Sequence, residues 1–108
     1  MNAEHGPEDY CACHLLVIGP PIDLKAFCST EEWPSPFTEV EPLEMSPTRR
    51  IWQFSAPEPP VPYLRTLSTR WPSLMLLLDY DTGRAKGLAS FKHGKVKHHR
   101  IVYHPRTK

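Results

Sequence analysis

Apolar positions concentrate in three runs, Leu15 to Ile18, Leu74 to Leu78 and Ile101 to Val102, separated by polar and proline-rich stretches. Cys11 to Gly19 is mostly apolar and stops at Gly19-Pro20-Pro21, which predicts a buried strand. Proline fits the first turn of a helix, where an N–H has no partner in any case, and Ile22, Ala26 and Phe27 then recur at helical spacing as far as Ser29-Thr30. Residues 31 to 48 read as a long connection, with an edge strand at Phe37 to Glu41 because proline is tolerated at sheet edges.

Arg49 to Ser55 carries Ile51, Trp52 and Phe54, residues that suit a pleated surface, and predicts a strand. The proline-rich lead-in 56–62 precedes a helix whose inward face is Val61, Leu64, Leu67, Ser68 and Trp71, and Pro72 ends it. Leu74 to Tyr80 is apolar at both alternating sets of positions, as a central strand beneath a helix layer would be. After the turn signal Asp81-Thr82-Gly83, Leu88 to Lys92 and Val96 to Tyr103 form a hairpin about Lys92-His93-Gly94-Lys95. Strands with two interspersed helices and a terminal meander predict an α+β sheet covered by helices on one face.

A chain of 108 residues suits one domain, 1–108, with a core of about 10–103 and flexible tails at 1–9 and 104–108. The thirteen prolines fall between the apolar runs and punctuate a folded chain. The first ten residues lack the basic flank and apolar stretch of a secretory signal, and no stretch approaches a membrane span, so the expectation is a cytoplasmic protein without a membrane partner. Cys11, Cys13 and Cys28 are then expected as reduced thiols.

Charge divides the chain. Residues 1 to 83 hold all twelve carboxylates and five basic residues, a net of −7, while residues 84 to 108 hold eight basic residues, four histidines and no carboxylate. Such a split implies either an anionic partner for the C-terminal segment or attraction within the fold.

Several spaced motifs resemble the YubB-type ferredoxin-like domains of bacteria, often carried by plasmids and phages. The family opens Trp-Cys-x-Asn-x-Leu-x-Val-x-Gly-Pro, and this chain has Tyr10-Cys11-Ala12-Cys13-His14-Leu15-Leu16-Val17-Ile18-Gly19-Pro20. Further matches are Phe54-Ser55, Pro59-Pro60 with Pro62 and Tyr63, Leu67-Ser68, Trp71-Pro72 with Leu74, and Tyr80-Asp81 with Gly83. The chain departs from the family's Gly-x-Gly-Phe-x-Gly at Gly83 to Gly87, where the aromatic and middle glycine are missing. The resemblance implies a ferredoxin-like fold, with two helices on one face of a mainly antiparallel sheet of four to five strands. It implies no activity, and it implies an accessory role in a mobile genetic element.

Candidate chemistry is sparse. Cys11 and Cys13 share one strand face and His14 the other, so with His5 they make a poor zinc site, and three cysteines are too few for an iron–sulfur cluster. No cofactor or metal is expected. Lys92, Lys95, Lys97, His99, Arg100 and Tyr103 are the candidate nucleic-acid contacts: the cations would neutralise phosphates, and Tyr103 or Phe91 would stack a base. Alternatively, a lysine-rich edge hairpin guards against aggregation and pairs with the acidic residues between 31 and 44. His98, His99, Arg100 and Tyr103 would be the residues of a metal-independent ribonuclease or toxin, but nothing in the sequence fixes their geometry. The leading expectation is a non-catalytic module that engages a protein partner or its own copy, with nucleic-acid binding second and catalysis third.

Overall fold

The computed structural model describes residues 10–103. The elements run β1 (Cys11–Ile18), α1 (Pro21–Thr30), β2 (Thr38–Met45), β3 (Arg49–Ala56), α2 (Val61–Arg70), β4 (Met75–Asp81), β5 (Ala85–Lys92) and β6 (Lys95–Val102). All six strands join one sheet in the order β2-β3-β1-β4-β5-β6, and every neighbouring pair is antiparallel.

This architecture corrects the expectation of a four- to five-stranded ferredoxin-like sheet under a helix layer: the fold is a small α+β fold, but with six strands. The edge strand expected at Phe37 to Glu41 is β2, which lies at the sheet edge but runs eight residues, Thr38–Met45. Its side chains are exposed or half-buried along its whole length, so it carries no hydrophobic alternation to announce it. Pro42 is accommodated because β2 is an edge, paired to β3 alone. β5 also starts earlier than its apolar pattern suggested, because its first inward residues are the small Ala85 and Gly87.

Nor do the helices form a complete roof. Two helices, each about 10 Å across, cannot cover six strands whose outer axes lie roughly 24 Å apart. α2 lies over β4 and β5 and reaches only part of β6. On that same side His98, Arg100 and Val102 of β6 remain exposed. In α1 the inward residues are Leu24 and Phe27, while Ile22, expected inside, is 77% exposed.

The core follows strand alternation. Cys11, Cys13, Leu15 and Val17 of β1, Trp52, Phe54 and Ala56 of β3, and Leu76, Leu78 and Tyr80 of β4 are buried on one side, joined by Leu24, Phe27, Leu64 and Leu67 from the helices. Aromatic contacts extend this core toward β2: Phe37 stacks on Phe54 at 4.4 Å, and Trp33 meets Trp52 edge-on at 5.2 Å. Glu31 ties the ends of the two helices together, accepting hydrogen bonds from Arg70 at 2.7 Å and from Trp71 Nε1 at 2.6 Å.

At the opposite end, Tyr80 crosses over Gly87 and its hydroxyl meets His98 Nε2 at 2.7 Å. The register explains the need for glycine: Tyr80, Gly87 and Arg100 lie opposite one another on β4, β5 and β6, and a Cβ at position 87 would run into the Tyr80 ring. The β5–β6 turn is held to α2. His93 and Gly94 both adopt positive φ, the Gly94 N–H donates to Ser68 Oγ at 2.9 Å, and Arg65 Nε donates to the Gly94 carbonyl at 3.1 Å. These contacts give Ser68, the buried polar residue of α2, its reason for being inside.

Candidate interaction surface

The alternate strand positions point away from the helices, and no described element lies over them. The register sorts them into rows across the sheet. One row is Glu41, Gln53, His14, Asp79, Leu88 and His99, running from β2 to β6. The next is Glu44, Ile51, Leu16, Leu77, Ser90 and Lys97. Flanking rows contribute Ile18 opposite Met75, and Lys86 opposite both Asp81 and Ile101.

The face therefore runs from carboxylates at the β2 edge to cations at the β6 edge, with the aliphatic Leu16, Ile51, Leu77 and Leu88 and the polar Gln53, His14 and Asp79 side by side between them. Leu88 and Ile101 are open to water, 62% and 65% exposed, while Leu16, Ile51 and Leu77 are half-buried among their neighbours. Two shallow depressions mark the surface: one of about 490 Å³ lies among Leu16, Ile51, Leu77, Leu88 and Lys97, and one of about 630 Å³ among His14, Glu39, Glu41 and Gln53. Grouped exposed aliphatic side chains rimmed by polar residues are the usual mark of an interaction surface.

The carboxylates of the β2 edge and the cations of the β6 edge do not neutralise one another. β2 and β6 are opposite edges of the sheet, so the hairpin does not pair with the acidic segment between 31 and 44. Glu44 pairs with Arg49 at 3.0 Å, Glu31 pairs with Arg70, and Glu41 accepts from Gln53 at 2.9 Å. Among the described residues, no carboxylate lies within ion-pair distance of Lys86, Lys92, Lys95 or Lys97.

Of the candidate nucleic-acid contacts, Lys92, Lys95, Lys97 and His99 share the uncovered face, with Lys92 directly opposite Lys95. Lys86 joins them and was not singled out from the sequence; its position across from Ile101 is the register fact that places it. Arg100 points to the other side of β6, beside His98. Tyr103 follows the strand, and its hydroxyl donates to Asp81 Oδ2 at 2.9 Å. That hydrogen bond holds the Tyr103 phenol above the usual tyrosine range. Phe91 is fully buried and offers no ring for stacking.

His98 and His99 project to opposite sides, with His98 against the Tyr80 hydroxyl and Tyr103 tied to Asp81, so the four residues expected of a ribonuclease do not converge. Cys11 and Cys13 face the core while His14 faces outward, and His5 lies outside the described residues. The Cys13 thiol is pushed well above its ordinary range by its hydrogen bond with Cys11 and by burial, which keeps it protonated and unreactive. Among the described residues no cluster of three His, Cys, Asp or Glu could hold a metal ion, and no helix is long and apolar enough to cross a membrane.

The Asp81 to Ala85 turn positions the hairpin that carries the cations. Asp81 Oδ1 accepts the Gly83 N–H at 2.8 Å, and Thr82 Oγ1 accepts the N–H groups of Arg84 and Ala85. The Gly83 N–H, followed by the Tyr103 hydroxyl, holds the Asp81 carboxyl below the usual aspartate range. No family model, no curated protein and no solved structure matches the chain.

Proposed function

We propose that this domain is a non-catalytic binding module and that the uncovered face of its sheet is the surface that engages a protein partner. The observation that carries the reading is the face itself: aliphatic side chains from Leu16, Ile51, Leu77 and Leu88 are set out in register between acidic and basic margins. A face with an apolar centre and a polar rim is how protein interfaces are built. The accessory role in a mobile element is carried by the motif resemblance.

A photo-activatable residue placed at Ser90, on the uncovered face, tests it against the same residue at Thr66, exposed on α2. Irradiation in the source cells should give a protein adduct at position 90 and none at position 66. Absence of an adduct at 90, or a cross-link from 90 only to residues 1–9 or 104–108 of the same chain, would refute the reading.

A second reading is favoured by one observation: Lys92, Lys95 and Lys97 lie on one face with no described carboxylate beside them. Nucleic acid would then lie along the β6 margin. Lys95→Ala with Lys97→Ala should weaken a salt-sensitive mobility shift, and Arg100→Ala, on the other side of the strand, should not. Absence of any salt-sensitive shift would remove this second reading.

A further inference from the structure

We infer that the partner of the uncovered face is a second copy of this chain, packed face to face about a two-fold axis that runs along the strands between β1 and β4; the inference rests on the binding face proposed above. The sheet has three strands on each side of that line, β2-β3-β1 and β4-β5-β6. A two-fold rotation along the strand direction keeps each cross-sheet row in its own level and exchanges its ends. β2 of one copy then lies over β6 of the other, β3 over β5, and β1 over β4.

The charged margins and the central aliphatic pair are complementary under this operation, while Gln53 meets Leu88, Ile51 meets Ser90, and Arg49, tied to Glu44 within its own chain, comes level with Lys92. In one row Glu41 faces His99, and His14 faces Asp79. In the next, Glu44 faces Lys97 and Leu16 faces Leu77. Ile18 faces Met75 at the following level. Each match occurs twice by symmetry, as an isologous interface requires. A two-fold across the strands would instead set β2 on β2 and β6 on β6, carboxylate against carboxylate and lysine against lysine.

Packed sheets cross at about 30°, which shifts the outermost strands by roughly 6 Å, or about two residues. Side chains two positions apart share a face, so Glu44 still meets a basic group, whether Lys95, Lys97 or His99. The shared area is roughly 24 by 26 Å, on the order of 600 Å² per copy, near the lower limit for a specific interface. Edge-to-edge pairing is the weaker route to self-association. β2 carries Pro42, a positive φ at Glu39 and two register irregularities, while β6 carries Lys95 and Lys97, and such features blunt a sheet edge.

The test is sedimentation equilibrium of the full chain, with Glu44→Lys and Lys97→Glu as variants. Wild type should dimerise with a Kd on the order of micromolar, and salt should weaken it. Each variant alone places like charges face to face twice and should dimerise about tenfold less tightly. An equimolar mixture of the two restores opposite charges at both contacts and should sediment as a heterodimer close to wild-type strength. Circular dichroism of each variant should match wild type, and the recovery on mixing excludes misfolding as the cause of the loss.

A wild type that stays monomeric at about 500 µM, ten-fold or more above the range expected of such an area, overturns the inference. So does a dimer that both variants leave intact, or a mixture that fails to recover. If the position 90 cross-link then joins a different protein, the binding face stands and self-association alone falls; if it joins nothing, both fall together.

Discussion

Gly87→Ala offers a sharp test of how the hairpin is attached to the core. The substitution adds one methyl to β5, where a Cβ would overlap the ring of Tyr80 and lie 2.6 Å from its Cε2. Tyr80 is 1% exposed and cannot swing into solvent without giving up its contact with His98. Displacing it costs about 1 to 3 kcal/mol of overpacking. Loss of the 2.7 Å hydrogen bond adds about 1 kcal/mol. Restricting the unfolded chain returns somewhat under 1 kcal/mol, so the net destabilisation is about 1 to 3 kcal/mol. Urea unfolding of wild type, Gly87→Ala, Tyr80→Val and the double variant measures it as a cycle. With the ring removed, Gly87→Ala should be neutral or slightly stabilising, so the coupling should nearly equal the single-variant loss. A Gly87→Ala protein as stable as wild type, or a double variant whose losses simply add, would refute the steric account.

Ser68→Ala removes the acceptor of the Gly94 N–H in a buried site and should cost about 1 to 3 kcal/mol; the Gly94 amide should also exchange much faster with solvent, and an unchanged rate would show that the turn is held by other contacts. Glu31→Ala leaves the Trp71 indole N–H and the Arg70 guanidinium without their shared carboxylate and should cost about 1 to 3 kcal/mol in chemical unfolding, with a changed tryptophan emission in the native state. Asp81 has a folded-state pKa below its unfolded value, so its contribution is present above the ordinary aspartate pKa of about 3.9 and is lost as pH falls through the lower folded value. Asp81→Asn should accordingly flatten the acid limb of the stability profile in that window, and an unchanged limb would show that the carboxylate does not stabilise the turn.

The sequence was legible where hydrophobic alternation is strong. Cys11 to Ile18, with its glycine and double proline, forms β1, and the leucine-rich segment forms β4 between β1 and β5. Leu64, Leu67 and Ser68 lie inside α2 as their spacing requires. β2 was only partly legible because its exposed side chains leave no apolar period and its proline points away from a strand. The uncovered face was less legible still. Leu77 and Leu16 resemble core residues in sequence, and only the pairing of β1 with β3 and β4 shows that they face outward beside His14 and Asp79. The opposition of acidic and basic segments was plain from charge counts, but their separation to opposite edges depends on strand order, which no local pattern encodes.

The most direct measurement of the central claim is a methyl NMR dilution series on the leucines. If the uncovered face is the working surface and its partner a second copy, the methyl signals of Leu16, Leu77 and Leu88 should shift with protein concentration while those of Leu64 and Leu67, on the buried side of α2, stay fixed. Shifts confined to Leu64 and Leu67, or concentration-independent signals from all five, would contradict the account.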